Sequence, residues 1–162
     1  MLLYIVRHAF AGQHGDPRYP DDDLRPLTKK GRKRFSRLVK KLARRGFEPT
    51  LVATSPLVRC RQTAQVIVDR LGGSAQLMEL SELAPGSELA GLVAWTNAQK
   101  QETVAWVGHA PDVDRLTAML MGSGSSQMSL TKGAIAAIEF PDHIASGDGE
   151  LRWLVTPAVM GC

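Results

Sequence analysis

Hydrophobic and polar positions along the chain follow two rhythms, short apolar runs and stripes at three-and-four-residue steps. The runs Leu2 to Val6, Leu51 to Ala53, Ala75 to Leu80 and Thr103 to Val107 predict strands, the last rich in β-branched and aromatic residues. Thr28 can cap a helix whose apolar stripe is Phe35, Leu38, Val39, Leu42 and Ala43, and Gly46 ends it. Thr54, Ser55 and Pro56 predict a second helix start, followed by the stripe Leu57, Cys60, Ala64, Ile67, Val68 and Leu71 and the stop at Gly72 and Gly73. Ser87 to Gln99 and Asp112 to about Met121 read as two more helices, and Gly122 to Ser126 as a flexible connection. Ala134 to Phe140 and Glu150 to Val155, separated by Gly147, Asp148 and Gly149, predict a closing hairpin.

Strands alternating with helices predict the α/β class, a three-layer sandwich with a mostly parallel central sheet flanked by helices. With 162 residues, 44% apolar and 22% charged, the chain is expected to form a single domain over residues 1–162 with one ordinary core. That composition excludes a disordered tail, a collagen-like repeat and a disulfide scaffold. The two cysteines, Cys60 and Cys162, are too few for a four-ligand zinc site, and no structural disulfide is expected. The apolar start is too short for a signal segment and no stretch suffices for a membrane span, so a cytoplasmic protein without membrane contact is expected.

The formal charge of +4 is distributed unevenly: ten Lys and Arg residues fall between Lys29 and Arg45 with no acid among them. This predicts the solvated basic face of an amphipathic helix, which could also steer an acidic protein or bind a phosphate-rich partner. No aromatic residues interleave with it, so no nucleic-acid partner is expected. The segment from Ala9 to Leu27 is long and polar, holding Gly12, Gly15, three prolines and the triplet Asp21, Asp22, Asp23. A loop of that length inside a compact domain is usually functional or mobile.

The candidate chemistry sits at strand ends. Arg7 and His8 follow the first strand, Arg59 lies just past the second, and His109 follows Thr103 to Val107. In a parallel sheet the carboxyl ends of the strands line one crevice, so these distant residues can converge there. Two arginines and two histidines describe an anion site. Arginine forks match phosphate oxygens, and helix starts after Ser55 and His109 can add free N–H groups. A neutral imidazole whose far nitrogen donates to a backbone carbonyl presents its other lone pair for in-line attack on phosphorus. Arg7, Arg59 and a protonated His109 could then stabilise the phosphoryl charge without a metal or other cofactor. His14 and His143 read as surface histidines, and Cys60 as a core residue.

Four ordered motifs carry a resemblance: Tyr4-Ile5-Val6-Arg7-His8-Ala9; Arg25-Pro26-Leu27-Thr28 with Gly31; Ser55-Pro56-Leu57 with Arg59, Gln62 and Thr63; and Gly108-His109-Ala110-Pro111. Together they resemble the histidine phosphatase superfamily, whose fold is called phosphoglycerate mutase-like, over Leu2 to about Pro157. The short chain and the Arg-Pro-Leu-Thr block look most like its small branch, the SixA-type phosphohistidine phosphatases. The resemblance implies that His8 is the phosphorylated nucleophile and that Arg7, Arg59 and His109 bind the phosphoryl group. The nearest match for a leaving-group acid is Glu82, with Glu79 and Glu88 as poorer fits. Ala9 departs from the glycine that usually follows the nucleophile, and a glycine there would ease close approach of the backbone to a ligand.

The function expected is hydrolysis of a phosphoryl group through a covalent intermediate on His8. The expected substrate is a phosphohistidine-bearing signalling protein such as a phosphotransfer domain, with small phosphate esters as the alternative. A monomer is expected.

Overall fold

The computed structural model describes residues 1–162. In chain order its elements are β1 (Leu2–Arg7), α1 (Lys29–Ala43), β2 (Leu51–Thr54), α2 (Val58–Arg70), β3 (Gln76–Glu79), α3 (Leu89–Ala98), β4 (Thr103–Gly108), α4 (Asp112–Leu120), β5 (Ile135–Glu139) and β6 (Glu150–Val155). They form one six-stranded sheet in the order β3-β2-β4-β1-β5-β6. The strands β3, β2, β4 and β1 are mutually parallel, while β5 and β6 run antiparallel at one edge. The expected architecture, a mostly parallel sheet between two helical layers, is therefore the one observed.

The central strands are apolar on both faces because both faces are covered. On one side Tyr4, Val6, Val52, Ala105 and Val107 meet the stripes of α1 and α2, among them Phe35, Leu38, Cys60 and Ile67. On the other, Leu3, Ile5, Ala53, Val104 and Trp106 meet Leu89 and Leu92 of α3 and Val113, Leu116 and Leu120 of α4. Adjacent residues of a strand thus feed opposite cores, as a period of two requires. The largest of these side chains, Trp106, is fully buried and its indole N–H donates to the Thr96 hydroxyl at 2.9 Å, which removes the cost of burying that donor.

Two local features differ from the sequence reading. The second helix begins at Val58, with Leu57 extended at φ −66° and ψ 136° as its cap residue, and the Ser55 hydroxyl accepts from the Leu57 N–H at 3.4 Å while also meeting His109. Single turns of 3-10 helix occur at Asp22–Leu24 and Ser81–Leu83, where no periodic signal predicted them. No helix is long and apolar enough to cross a membrane.

The start of α1 is fastened to the loop after β1. The Thr28 N–H donates to the Phe10 carbonyl at 3.0 Å, and the Thr28 hydroxyl accepts from the Gly31 N–H at 2.9 Å. A Cβ at position 31 would come within 2.2 Å of the Phe10 carbonyl oxygen, so only glycine permits this approach. That contact ties the start of the helix to Phe10, two residues beyond His8 in the chain.

Candidate active site

Parallel pairing sets the ends of three strands level. Arg7 lies opposite Gly108, and Thr54 opposite Val107. The ladder continues one residue beyond each strand: the His8 N–H donates to the Gly108 carbonyl and the Ser55 N–H to the Val107 carbonyl, both at 3.0 Å. His8, Ser55 and His109 therefore meet at one edge of the sheet. The two imidazole rings lie with centroids 5.4 Å apart, and both residues are buried.

His8 is held by its own backbone neighbourhood. Its Nδ1 is 2.7 Å from the Ala9 carbonyl oxygen. A carbonyl can only accept, so Nδ1 carries the proton and Nε2 bears the lone pair. Burial pushes the His8 pKa down to about 3, the Ala9 hydrogen bond opposes this, and the charges of His109, Arg59 and Arg7 add to it. The ring is neutral at ordinary pH. Its backbone is fixed through Thr63, whose hydroxyl accepts from the Ala9 N–H at 3.0 Å and donates to the Arg59 carbonyl at 2.7 Å. Ala9 itself packs in the core, and Lys100 is the one residue other than glycine with a positive φ, so position 9 has no left-handed backbone to relieve.

His109 places Nε2 2.9 Å from the Ser55 hydroxyl and 3.4 Å from the Cys60 sulfur. Burial, followed by the charge of Arg59, pushes its pKa down to about 4. The protonated His109 expected from sequence is thus not the form that this pocket favours by itself; a dianion beside it would push the pKa back up. Cys60 is a core residue, as expected, and burial pushes its thiol up to about 12, which keeps it protonated.

The arginines approach from different elements. Arg59, the second residue of α2, is 6% exposed and donates from Nη1 to the Asp22 carbonyl at 2.8 Å. Arg7 donates from Nη1 to the Leu130 carbonyl at 2.6 Å. The Nε atoms of both are buried without a hydrogen-bond partner. A buried N–H left unpaired costs about 1–3 kcal/mol, which an acceptor oxygen would offset.

Two residues of this cluster were given no role from the sequence. Arg25 is buried, with Nε and Nη2 on the two carboxylate oxygens of Asp22 at 2.7 and 3.1 Å and Nη1 on the Ala11 carbonyl at 2.8 Å. Asp22 also pairs with Arg59 at 3.2 Å and with His14 at 3.0 Å. Its carboxyl is held well below the usual carboxylate range, chiefly by the hydrogen bonds from Arg25. One carboxylate thus keeps two buried guanidinium groups side by side. The signal was present in the Arg-Pro-Leu-Thr block and the aspartate triplet, but spacing alone does not say that these residues fold back onto α2. Lys132 lies on the same rim, its pKa lowered by burial and by Arg7, Arg25 and Arg59. His14 is exposed as expected, though tethered to Asp22.

The candidate acids lie elsewhere. Glu82 is exposed and accepts the Ser81 hydroxyl at 3.0 Å; no hydrogen bond or ion pair joins it to His8, His109, Arg7 or Arg59. Glu79 pairs with Arg61 at 3.3 Å, and Glu88 is exposed at the cap of α3. The carboxylates electrostatically felt by His109 are those of Asp112 and Asp22. No group of three or more His, Cys, Asp and Glu side chains is arranged to hold a metal ion.

Comparison with known proteins gives a consistent picture. The profile of the histidine phosphatase superfamily (branch 1) matches residues 3–155. The chain is 33% identical over 164 residues to an uncharacterized protein of Picosynechococcus, covering 97% of each. It is 29% identical over 160 residues to the phosphohistidine phosphatase SixA of Escherichia coli, covering 97% of this chain and 94% of that one. A solved structure of the protein histidine phosphatase SixA complexed with tungstate superimposes with a TM-score of 0.85 at 28% identity, covering 99% of both chains.

Proposed function

The chain belongs to the histidine phosphatase superfamily, in its SixA-type branch, and is a phosphatase; from this premise we propose that it removes the phosphoryl group from a phosphohistidine carried by a protein, with His8 as nucleophile. The observation that carries this reading is the hydrogen bond from His8 Nδ1 to the Ala9 carbonyl, which commits the lone pair of Nε2 to attack.

In the first step Nε2 of His8 forms a bond to phosphorus as the bond from phosphorus to the substrate imidazole breaks. The leaving ring departs as neutral imidazole when its other nitrogen holds a proton. Water then attacks the phosphoryl group on His8, the second P–N bond breaks, and phosphate leaves. Arg7 and Arg59 supply donors to the phosphoryl oxygens, including the Nε–H groups that have no protein partner. Arg25 adds positive charge beside them, and His109 gains a proton as the dianion settles.

The choice of leaving group follows from the carboxylates. An alkoxide needs an acid to protonate it. Asp22 is held ionised by Arg25 and Arg59, and Glu82 is exposed and unconnected to the cluster. An imidazole that already holds a proton on its other nitrogen departs as a neutral ring without that help, which favours phosphohistidine over sugar phosphates and nucleotides. The tungstate in the SixA structure is a tetrahedral oxyanion, in keeping with a phosphoryl site.

The test is substrate comparison with trapping of the intermediate. A phosphohistidine peptide should be hydrolysed with kcat/KM at least about tenfold above those of sugar phosphates and nucleotides. An acid-labile phosphoryl label should appear on the wild-type chain and be absent from His8→Ala, which should not turn over. Faster hydrolysis of a sugar phosphate would overturn the choice of substrate, and labelling of His8→Ala would overturn the choice of nucleophile.

A further inference from the structure

The phosphoryl site uses none of the ten cations of α1 and the turn after it. These side chains take part in no ion pair of the structure. Arg34 and Lys41 are drawn onto the carbonyls of Cys162 and Met160, while the other eight are exposed to solvent. Like charges repeat at spacings of three and four residues along the helix, for example Lys29 with Lys33 and Lys33 with Arg37, where acid–base pairs would have stabilised it. A helix that accepts this repulsion without a single acid on it has unused attraction for an external anion.

The position of the helix gives that attraction a direction. Because Thr28 and Gly31 are fastened to Phe10, α1 starts at the mouth of the phosphoryl site and its 15 residues run away from it for about 22 Å. Phe10, two residues beyond His8, is 48% exposed, and the Lys132 ammonium lies 4.7 Å from its ring centre. Beside them is a groove of about 340 Å³ lined by Phe10, Arg34, Phe35, Lys132 and Pro157 among others. The turn that carries Asp22 exposes two further acids, Asp21 and Asp23, at the mouth. A uniform polyanion such as nucleic acid would meet repulsion on that side, whereas a folded protein can present acid to one rim only.

We propose that Phe10, Lys132 and the N-terminal half of α1 form the docking surface for the phosphohistidine protein, and that this partner lays an acidic amphipathic helix along α1 with an apolar side chain in the groove beside Phe10. Lys30, Arg34 and Arg37, three and four residues apart on the helix flank beside the groove, and the apolar wall of Phe10, Phe35 and Pro157 match the two faces of such a helix. Opposite charge raises the encounter rate, and the exposed Asp21 and Asp23 repel an acidic partner from that turn, which biases the orientation in which the phosphoryl group arrives. This inference rests on the phosphohistidine reading and names the partner that the reading leaves open.

The experiment uses the whole chain and three probes: phosphoimidazole, and two phosphohistidine peptides identical around the reacting residue, one flanked by a Glu-rich helix and the other by a Lys-rich helix. The acidic peptide should have the higher kcat/KM, by about tenfold at low salt, with the advantage shrinking as ionic strength rises. The triple variant Lys30→Glu, Arg34→Glu, Arg37→Glu, on the helix flank beside the groove, should erase or reverse that preference and leave phosphoimidazole turnover unchanged, which also reports that it is folded. Equal rates for the two peptides with active phosphoimidazole hydrolysis would overturn the docking surface alone, as would a preference that survives the triple variant. Hydrolysis of none of the three would overturn the catalytic reading. Fluorescence anisotropy of the unphosphorylated labelled peptides would then decide docking independently, since loss of binding to the acidic peptide in the triple variant supports it and equal binding of both peptides sinks it. Displacement of the acidic peptide by duplex DNA at matched charge would overturn it in favour of a nucleic-acid face.

Discussion

The floor and the rim of the proposed phosphoryl site are built on opposite terms. On the floor, His8, Ser55 and His109 sit at the ends of hydrogen-bonded strands, buried, and desolvation keeps both imidazoles uncharged. On the rim, Asp22, Arg25, Arg59 and Lys132 come from loops and helix ends and are crowded with formal charge. The difference teaches how the two tasks are separated: a nucleophile needs a neutral, fixed lone pair, whereas anion recognition needs charge that loops and helix ends bring in and pairing locks in place.

Acid should weaken the two regions in different pH windows. The pKa values of His8 and His109 are lowered from 6.5 to about 3 and about 4 by burial. Between pH 6.5 and 4 the unfolded chain binds protons that the folded chain refuses, so stability falls as pH falls, by about 1.4 kcal/mol per pH unit for each histidine. Asp22, lowered from 3.8, adds stability that is lost only as pH drops below that value. Urea unfolding at a series of pH values should show this early decline, and His109→Gln should flatten it by roughly one proton. A stability curve that is level down to pH 4 would break the picture of a desolvated floor.

Arg59→Ala should come next in size. Removing a preorganised donor costs about 3 kcal/mol of transition-state stabilisation, so kcat/KM should fall on the order of a hundredfold. Nearly full activity in this variant would mean that floor and rim are not one site. Gly31→Ala tests the fastening of the rim to the floor, because the new Cβ meets the Phe10 carbonyl oxygen, which cannot swing aside as a side-chain end could. A loss of about 1–3 kcal/mol in unfolding free energy is expected, and an unchanged melting temperature would show that the contact can be relaxed at no cost. Asp22→Asn should have the smallest effect, about tenfold in kcat/KM, since both guanidinium groups persist but lose the carboxylate that holds them together. Equal losses for Asp22→Asn and Arg59→Ala would shift the main role from the arginine to the carboxylate.

Much of this was legible in the chain. The runs that became β1, β2, β3 and β4 and the stripes of α1 and α2 follow from local periodicity, which survives folding because each face must find an apolar partner. The convergence of Arg7, His8, Arg59 and His109 followed from strand-end geometry. Less legible were the start of α2, set at Val58 by the extended backbone of Leu57, and the position of Glu82, which depends on where a short 3-10 turn directs its side chain. The charge of His109 before a phosphoryl group arrives was not legible, because burial, invisible in a string of residues, lowers its pKa.

The sequence by itself determined the order of strands and helices, the residues delivered to the strand ends and the family, because these depend on repeating patterns and on motifs a few residues long. Only the tertiary structure decided that Asp22 reaches across to Arg59, that Ser55 meets His109 and that the basic helix opens at the mouth of the site. Those contacts join residues far apart in the chain, and their distances are set by sheet register and loop path, for which no local pattern exists.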